Sequence, residues 1–232
     1  MLTGRCIPIR LVRVLRVFQG VHLLMSKDAV MSQPAQMREG TQAGDAASEP
    51  RKPVEEPVGE SIEQLLDRLC AIIPDHPEPG ITFRDLTPVF ADAEGLHRVV
   101  DALAEPFAGQ FDAVAGLEAR GFLLASAVAY AAGVGLMTVR KGGKLPREVY
   151  SREYQLEYGT ASLEVHRDAL PKGGRVLLVD DVLATGGTAA AAASLVEQVG
   201  GTVAGVAVVL ELDGLGGREK LDPWKVHALQ RV

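Results

Sequence analysis

Residues 176–189 read VLLVDDVLATGGTA, an apolar run that stops at two adjacent acids. The run from Val176 to Val179 predicts a buried strand, which places Asp180 and Asp181 just beyond its carboxyl end. In open parallel sheets, ligands bind in the crevice outside the carboxyl ends of the strands. We therefore expect the two acids to face a solvent-filled crevice and not the core.

The acids are followed by a loop rich in glycine and hydroxyl groups, which opens a predicted helix. Backbone N–H groups at such a helix start form a cradle for an anion. The loop has neither the Walker A nor the GxGxxG spacing. A sugar phosphate fits both the acids and the loop. The carboxylates can accept hydrogen bonds from its hydroxyls or hold a divalent metal, and the loop can bind its phosphate. The plain alternative is a capped turn and a tight strand-to-helix connection. The loop residues are Ala184, Thr185, Gly186, Gly187 and Thr188.

Apolar strands alternate with helical segments over most of the chain, which predicts an α/β fold with an open, mostly parallel twisted sheet. Strands that lack polar alternation are typical of sheets covered by helices on both faces. Helices are expected at 94–108, 119–133 and 188–201, and strands at 111–118, 135–141, 160–168, 175–181 and 202–212.

A further helix is predicted in SIEQLLDRLCAIIP, residues 61–74. Ser61 and Gln64 have the spacing of a capping box. Apolar residues continue at helical spacing as far as Ile73, before Pro74 stops the pattern.

The first 60 residues have a different composition. Residues 1–27 contain basic residues but no acid, which is compatible with an arginine-rich targeting segment, a secretory signal or translated leader upstream of the true start. We favour a leader, with Met25 or Met31 as the start. Residues 31–60 have few large apolar side chains and are expected to be disordered. The folded domain is then 61–232.

The overall charge and the cysteines narrow the class of protein. A net charge of -6 argues against a nucleic-acid binder. No uninterrupted apolar run is long enough to span a membrane. Cys6 and Cys70 form no CxxC pair, so a reducing, cytoplasmic location fits best.

The stretch at 176–189 resembles the phosphoribosyl-pyrophosphate signature of type I phosphoribosyltransferases. More narrowly, four further segments resemble the adenine phosphoribosyltransferases, at 73–90, 116–129, 139–165 and 216–221. The resemblance implies a small N-terminal hood beside the sheet. It also implies that Asp180 and Asp181 contact the ribose hydroxyls while residues 184–188 wrap the 5′-phosphate.

The same resemblance assigns the pyrophosphate to two segments. One is a loop with a cis peptide bond, and the other is a basic strand and loop that in family dimers acts partly from the neighbouring subunit. A solvated basic loop is the alternative for the second segment. The residues are Glu118, Ala119, Arg120 and Gly121 in the first segment, and Arg140, Lys141 and Lys144 in the second.

A mobile lid is implied at 144–159, with Glu157 and Tyr158 closing over the reaction centre and Glu157 exchanging a proton with the base. Together with Arg120 they are the expected catalytic residues. An exposed loop acid is the alternative for Glu157. Arg147 stands where some relatives have glycine.

Adenine is expected to meet the hood and one strand residue. Phe83 is expected to stack on the base, although a core position is its alternative. The full set is Thr82, Phe83, Arg84 and Val182.

The activity implied is the conversion of adenine and phosphoribosyl pyrophosphate to AMP and pyrophosphate in cytoplasmic purine salvage, by a homodimer. Mg²⁺ would be carried with the pyrophosphate, with no protein ligand assigned. The alternatives are a phosphoribosyltransferase for hypoxanthine, guanine or xanthine, and a non-catalytic sensor of phosphoribosyl pyrophosphate. Partners other than these small molecules, such as nucleic acid or membranes, are not expected.

Overall fold

The computed structural model describes residues 59–76, 78–155 and 160–232. The predicted leader and most of the segment expected to be disordered lie outside these residues. So do Glu157 and Tyr158.

Nine strands and six helices are found within the described residues, joined by a 3-10 turn at Glu105–Phe107. The helices are α1 Ile62–Leu69, α2 Thr87–Ala91, α3 Ala93–Ala104, α4 Gly121–Ala132, α5 Gly187–Val199 and α6 Gly217–Lys220. The strands are β1 Ala71–Ile73, β2 Phe83–Asp85, β3 Ala113–Leu117, β4 Gly135–Lys141, β5 Val149–Gln155, β6 Thr160–His166, β7 Arg175–Leu183, β8 Thr202–Glu211 and β9 Val226–Arg231.

Seven of the strands form one sheet in the order β5-β6-β4-β3-β7-β8-β9. Strands β4, β3, β7, β8 and β9 are mutually parallel, and β5 and β6 are antiparallel at one edge. The predicted open, mostly parallel sheet is confirmed. Strands β1 and β2 form a separate two-stranded sheet, which is the hood.

Helices cover both faces of this sheet. Successive residues of β7 point to opposite sides, with Leu177 in the cluster beneath α1, α3 and α4 and Leu178 in the cluster beneath α5. Both side chains are fully buried. The alanines of α5 let that helix lie close to the sheet because they add little side-chain volume. Among the described residues, no helix is both long and apolar enough to cross a bilayer.

The capping box at the start of α1 is confirmed. The backbone N–H of Gln64 donates to Ser61 Oγ at 3.2 Å, and Ser61 N–H donates to Gln64 Oε1 at 2.9 Å. The expected continuation of the helix to Ile73 is wrong. The backbone of Cys70 is extended, and Ile73 pairs with Phe83 in the hood, so hood pairing outweighs the helical spacing of the side chains.

The expected lid at 144–159 is not a loop throughout. Its residues 149–155 form β5, which pairs with β6 from Val149↔His166 to Gln155↔Thr160. Tyr150 and Tyr154 are four residues apart, so they lie on the same face of the strand, and both pack against the cluster beneath α5. This strand belongs to the segment that the resemblance assigned to the lid.

The contact between β3 and α4 leaves no room for a side chain at Gly116. A Cβ there would lie 2.7 Å from Ala125 Cβ and 3.1 Å from the Gly121 carbonyl oxygen. We expect Gly116→Ala to lower the free energy of unfolding by about 1–3 kcal/mol, the usual cost of overpacking. Gly135→Ala is the control, because a Cβ at that position has nothing within 4 Å. Equal midpoints for the two variants in urea unfolding would contradict this packing.

Candidate active site

The candidate site lies where β3 and β7 separate. Their pairing ends at Gly116↔Val179, whereas β7 continues beside β8 as far as Leu183↔Glu211. The strand therefore continues past the apolar run that ends at Val179 and two residues past the predicted 175–181, because β8 still holds the chain in an extended form. The edge of β7 that faces β3 is nevertheless free from Asp180 onward, which places both acids beside the loop that leaves β3.

The two acids differ in their surroundings. Asp181 is only 6% exposed, so the expectation of a solvent-facing position is wrong for this residue. Its Oδ2 lies 2.6 Å from Nε of Arg120, which supplies the opposite charge. Asp180 Oδ1 accepts a hydrogen bond from the backbone N–H of Asp181 at 2.9 Å. Burial and the neighbouring carboxylate of Asp181 raise the pKa of Asp180 well above its ordinary value.

Arg120 connects three parts of the site. It follows the Glu118–Ala119 peptide bond, which is cis, as the resemblance implied. Besides its ion pair with Asp181, its guanidinium lies 6.0 Å from the centroid of the Phe83 ring, within cation–π range. The loop after β3, the acids of β7 and the hood therefore meet at one side chain.

Close backbone packing fixes the loop after β3 against β7. A Cβ on Gly121 would lie 2.7 Å from Asp180 Oδ1 and 2.8 Å from the Val179 carbonyl oxygen. Only glycine allows α4 to start this close to the acids. Gly121 therefore shapes the site through its lack of a side chain.

The loop at 184–188 is held in shape by α6. Gly186 has φ 73, and a Cβ on it would lie 2.6 Å from the Gly217 carbonyl oxygen. A Cβ on Gly217 would in turn lie 2.2 Å from the Ala184 carbonyl oxygen. The sequence singled out 216–221 by resemblance alone and gave it no role. Its place in the fold is to support the predicted phosphate loop.

An ion pair with one buried partner, Glu211, secures α6. Arg218 Nε donates to Glu211 Oε1 at 3.0 Å, and its Nη1 donates to the Val226 carbonyl at 2.7 Å. Glu211 is 4% exposed. Sequence reasoning missed this pair, because an acid at the end of an apolar strand and an arginine in a short helix carry no signal of contact.

Helices that start at the site lack side-chain caps, whereas two others are capped. Ser61 and Asp92 cap α1 and α3, but neither Arg120 nor Gly186 makes a side-chain capping bond at the start of α4 or α5. The first N–H groups of a helix have no partner within it. In α4, the N–H of Phe122 donates to the Ala119 carbonyl at 3.2 Å and the N–H of Leu123 donates to the Arg120 carbonyl at 3.1 Å. Thr185 and Thr188 stand beside the first N–H groups of α5.

The carboxylate of Glu118 binds all three residues of the basic segment, Arg140, Lys141 and Lys144. Its carboxylate accepts from Lys144 Nζ at 2.6 Å, from the Lys141 backbone N–H at 2.9 Å and from Arg140 Nε at 3.4 Å. The side chain is 8% exposed. Burial alone would raise the pKa of Glu118, but these donors outweigh it and lower the pKa. Burial also lowers the pKa of Lys141, a shift that Glu118 opposes. The carboxylate thus holds cations in place for an anion.

The hood brings one of its expected residues directly to the site. Phe83 is half-buried, with its ring edge-on to His76 at 5.4 Å between centroids and Arg120 on its other flank. Thr82 is exposed. The guanidinium of Arg84 is turned away from Phe83, since Nη1 donates to Asp67 Oδ1 at 2.9 Å.

Val182 is a member of β7 and pairs with Leu210 of β8. It is partly buried and packs against the cluster beneath α1, α3 and α4. The described residues contain no group of three or more His, Cys, Asp or Glu side chains placed to hold a metal ion.

Comparison with known proteins agrees with this geometry. Residues 92–230 match the phosphoribosyl transferase domain family. The adenine phosphoribosyltransferase of Renibacterium salmoninarum is 66% identical over 173 residues, which cover 75% of this chain and 95% of that protein. The adenine phosphoribosyltransferase of an Arthrobacter species is 62% identical over 171 residues, covering 74% of this chain and 92% of that protein.

Solved structures are similar as well. The crystal structure of adenine phosphoribosyltransferase from Thermoanaerobacter pseudethanolicus is similar to this chain with a TM-score of 0.70 and 47% identity. The match covers 74% of this chain and 100% of that one. The Saccharomyces cerevisiae enzyme, crystallised with an imino-altritol bisphosphate and adenine, has a TM-score of 0.69 and 41% identity, covering 73% of this chain and 98% of its own. On fold, site geometry and these relatives together, the chain belongs to the adenine phosphoribosyltransferase family.

Proposed function

We propose that this protein transfers the 5-phosphoribosyl group of phosphoribosyl pyrophosphate to adenine, giving AMP and pyrophosphate. The observation that carries the proposal is the position of Arg120 between Asp181 and Phe83. This supports a site in which a cation for the leaving group, an acid for the ribose and an aromatic ring for the base lie around one point. A sugar phosphate sensor would need no aromatic base site there.

Charge separation is the main demand of this reaction. As the bond from C1 of the ribose to pyrophosphate breaks, negative charge grows on the leaving group and positive charge on the sugar. Groups already fixed in place stabilise such charges without reorganising. We assign the leaving group to Arg120 and to the cations that Glu118 gathers, and the sugar to Asp180 and Asp181.

The raised pKa of Asp180 gives the two acids different roles. A carboxyl group that keeps its proton can donate a hydrogen bond to a ribose oxygen, whereas an ionised one only accepts. We propose that Asp181, paired with Arg120, accepts from a ribose hydroxyl, and that the Asp180 carboxyl, whose pKa is raised by burial, donates to another ribose oxygen. The 5′-phosphate then binds the uncapped start of α5, between Thr185 and Thr188.

Mg²⁺ enters this proposal as part of the substrate. Pyrophosphate oxygens are hard ligands that suit Mg²⁺, so the ion would arrive on phosphoribosyl pyrophosphate and leave on pyrophosphate. The basic residues of this chain would then meet a partly neutralised anion.

Adenine is the proposed base because the Saccharomyces cerevisiae relative was crystallised with adenine and because Phe83 offers a ring for stacking. Since the guanidinium of Arg84 is bonded to Asp67, we propose that the backbone of Arg84, and not its side chain, meets the base. Glu157 remains the proposed proton acceptor for the base nitrogen, with Tyr158 beside it in the closed lid. Val182 contributes apolar surface at the base site.

We further propose a homodimer located in the cytoplasm. Leu123 is 59% exposed and Tyr130 91% exposed on one face of α4, seven residues apart. We propose that this exposed apolar face of α4 is the surface that a second copy covers. Because α4 begins next to Arg120, a second copy on this face would lie beside the site.

Neutralising Asp181 tests the assignment of the ribose site. We expect Asp181→Asn to lower kcat/KM for phosphoribosyl pyrophosphate on the order of 100-fold, because it removes a preorganised charge from the reacting sugar. Because Asp181 is buried and paired with Arg120, the thermal midpoint should also fall, so the rates are compared well below the midpoint of the variant. Asp213→Asn, in an exposed ion pair with Arg231, is the matched control and should keep full activity. Initial rates of AMP formation measure both variants, and wild-type rates for Asp181→Asn would remove Asp181 from the mechanism.

The dimer is tested by a charge on the exposed face of α4. We expect the wild-type chain to run as a dimer in light scattering coupled to gel filtration, and Tyr130→Glu to run as a monomer, because burying an unpaired carboxylate opposes association. Ile72→Glu places the same charge at another exposed apolar position, 50% exposed and on β1, and should remain dimeric. A monomeric wild-type chain, or a dimeric Tyr130→Glu, would contradict this surface assignment.

A further inference from the structure

The chain that leaves β4 is fixed by three successive backbone hydrogen bonds. The N–H of Lys141 donates to Glu118 Oε2 at 2.9 Å, and the N–H of Gly142 donates to the Ser162 carbonyl at 3.0 Å. The N–H of Gly143 donates to Glu164 Oε2 at 2.9 Å. Because these donors are already satisfied, this segment meets an anion with its side chains and not with its backbone.

The turn that follows is tight. A Cβ on Gly142 would lie 2.2 Å from Ser162 Oγ, and Gly143 has φ 79, in the left-handed region. This turn brings Lys144 back toward the sheet, where its Nζ lies 2.6 Å from Glu118 Oε1. The position of Lys144 therefore depends on how firmly the turn is held.

Two carboxylates hold the turn from opposite sides. Glu118 reaches it from the loop after β3, and Glu164 reaches it from β6, where it pairs with Arg140 of β4. Glu118 was expected at the site by resemblance, but no role has been given to Glu164. Its side chain accepts the last of the three backbone donors, at the residue just before Lys144.

We propose that Glu164 is a positioning residue for pyrophosphate. It fixes the Gly142–Gly143 turn through the N–H of Gly143, and the turn in turn sets Lys144 beside Glu118, ready for the leaving group. This inference rests on the proposed function, since it assumes that Lys144 and Arg140 meet pyrophosphate. Glu164 acts through these residues and does not touch the reacting atoms.

Electrostatics alone predicts the opposite effect of its removal. A carboxylate close to an anion site repels the anion, so deleting the charge of Glu164 should strengthen pyrophosphate binding. If Glu164 acts by holding the turn, deleting it should weaken binding instead. The sign of the change therefore separates the two roles.

The test compares Glu164→Ala, Glu164→Gln and the control Glu197→Ala in the full chain. Glu197 is an exposed acid in the last turn of α5, so its removal changes net charge equally. Calorimetric titration with magnesium pyrophosphate gives Kd, initial rates give KM for each substrate and kcat, and hydrogen exchange follows the amides of residues 141–144.

For Glu164→Ala we expect Kd for magnesium pyrophosphate and KM for phosphoribosyl pyrophosphate to rise about tenfold, as for the loss of one charge-assisted hydrogen bond. The KM for adenine and the thermal midpoint should not change, and hydrogen exchange at the Gly143 amide should become faster. Glu164→Gln, whose amide oxygen still accepts from Gly143, should recover most of the affinity. Glu197→Ala should match the wild-type chain.

Tighter or unchanged pyrophosphate binding by Glu164→Ala would overturn the inference, and so would a Glu164→Gln variant as weak as Glu164→Ala. Failure of the proposed function looks different. In that case the wild-type chain would form no AMP from adenine, while magnesium pyrophosphate binding and amide exchange would still report whether Glu164 holds the turn.

Discussion

Strands β3 and β7 separate after Gly116↔Val179, and every part of the candidate site depends on this separation. Where two neighbouring parallel strands stop pairing, each has backbone groups that no longer bond to the other strand. Here one side turns into the loop that carries Arg120, and the other remains extended beside β8 and carries Asp180 and Asp181. The crevice between them is where open parallel sheets bind ligands.

Glycine contacts keep this crevice narrow. Gly121 touches the Asp180 carboxylate and Gly217 touches the Ala184 carbonyl, each closer than any side chain would allow. These contacts tie the helices at the site to β7 and to α6, so the ligand-binding loops rest on packed backbone. Charged residues then add a second layer of order, in which Asp181 holds Arg120 and Glu118 holds Lys144.

The sequence was sufficient for the parts that depend on local pattern. The parallel sheet, the capping box at Ser61 and the long helices follow from hydrophobic period and capping chemistry. The resemblance implied the hood but not its pairing, and β5 was not predicted, because pairing with another segment of the chain decides both. Ile73 pairs with Phe83 instead of continuing the helix, and residues 149–155 of the expected lid form a strand beside β6.

The same limit applies to the site. Motif resemblance assigned Asp180, Asp181, Arg120 and the basic segment to the site, but it did not predict which charges pair. The ion pair of Arg120 with Asp181 joins residues that are 61 positions apart in the sequence. Asp181 is buried in this pair. Arg84 illustrates the converse, because its partner Asp67 lies on α1 and turns the guanidinium away from the hood ring.

The central claim is that these residues together make an adenine-specific phosphoribosyl transfer site. The most direct test is the initial rate of nucleotide formation by the full chain, with magnesium and phosphoribosyl pyrophosphate, for adenine, hypoxanthine and guanine in parallel. We predict rapid formation of AMP and negligible formation of the other two nucleotides. Comparable rates with hypoxanthine or guanine, or binding of phosphoribosyl pyrophosphate without AMP formation, would contradict this claim.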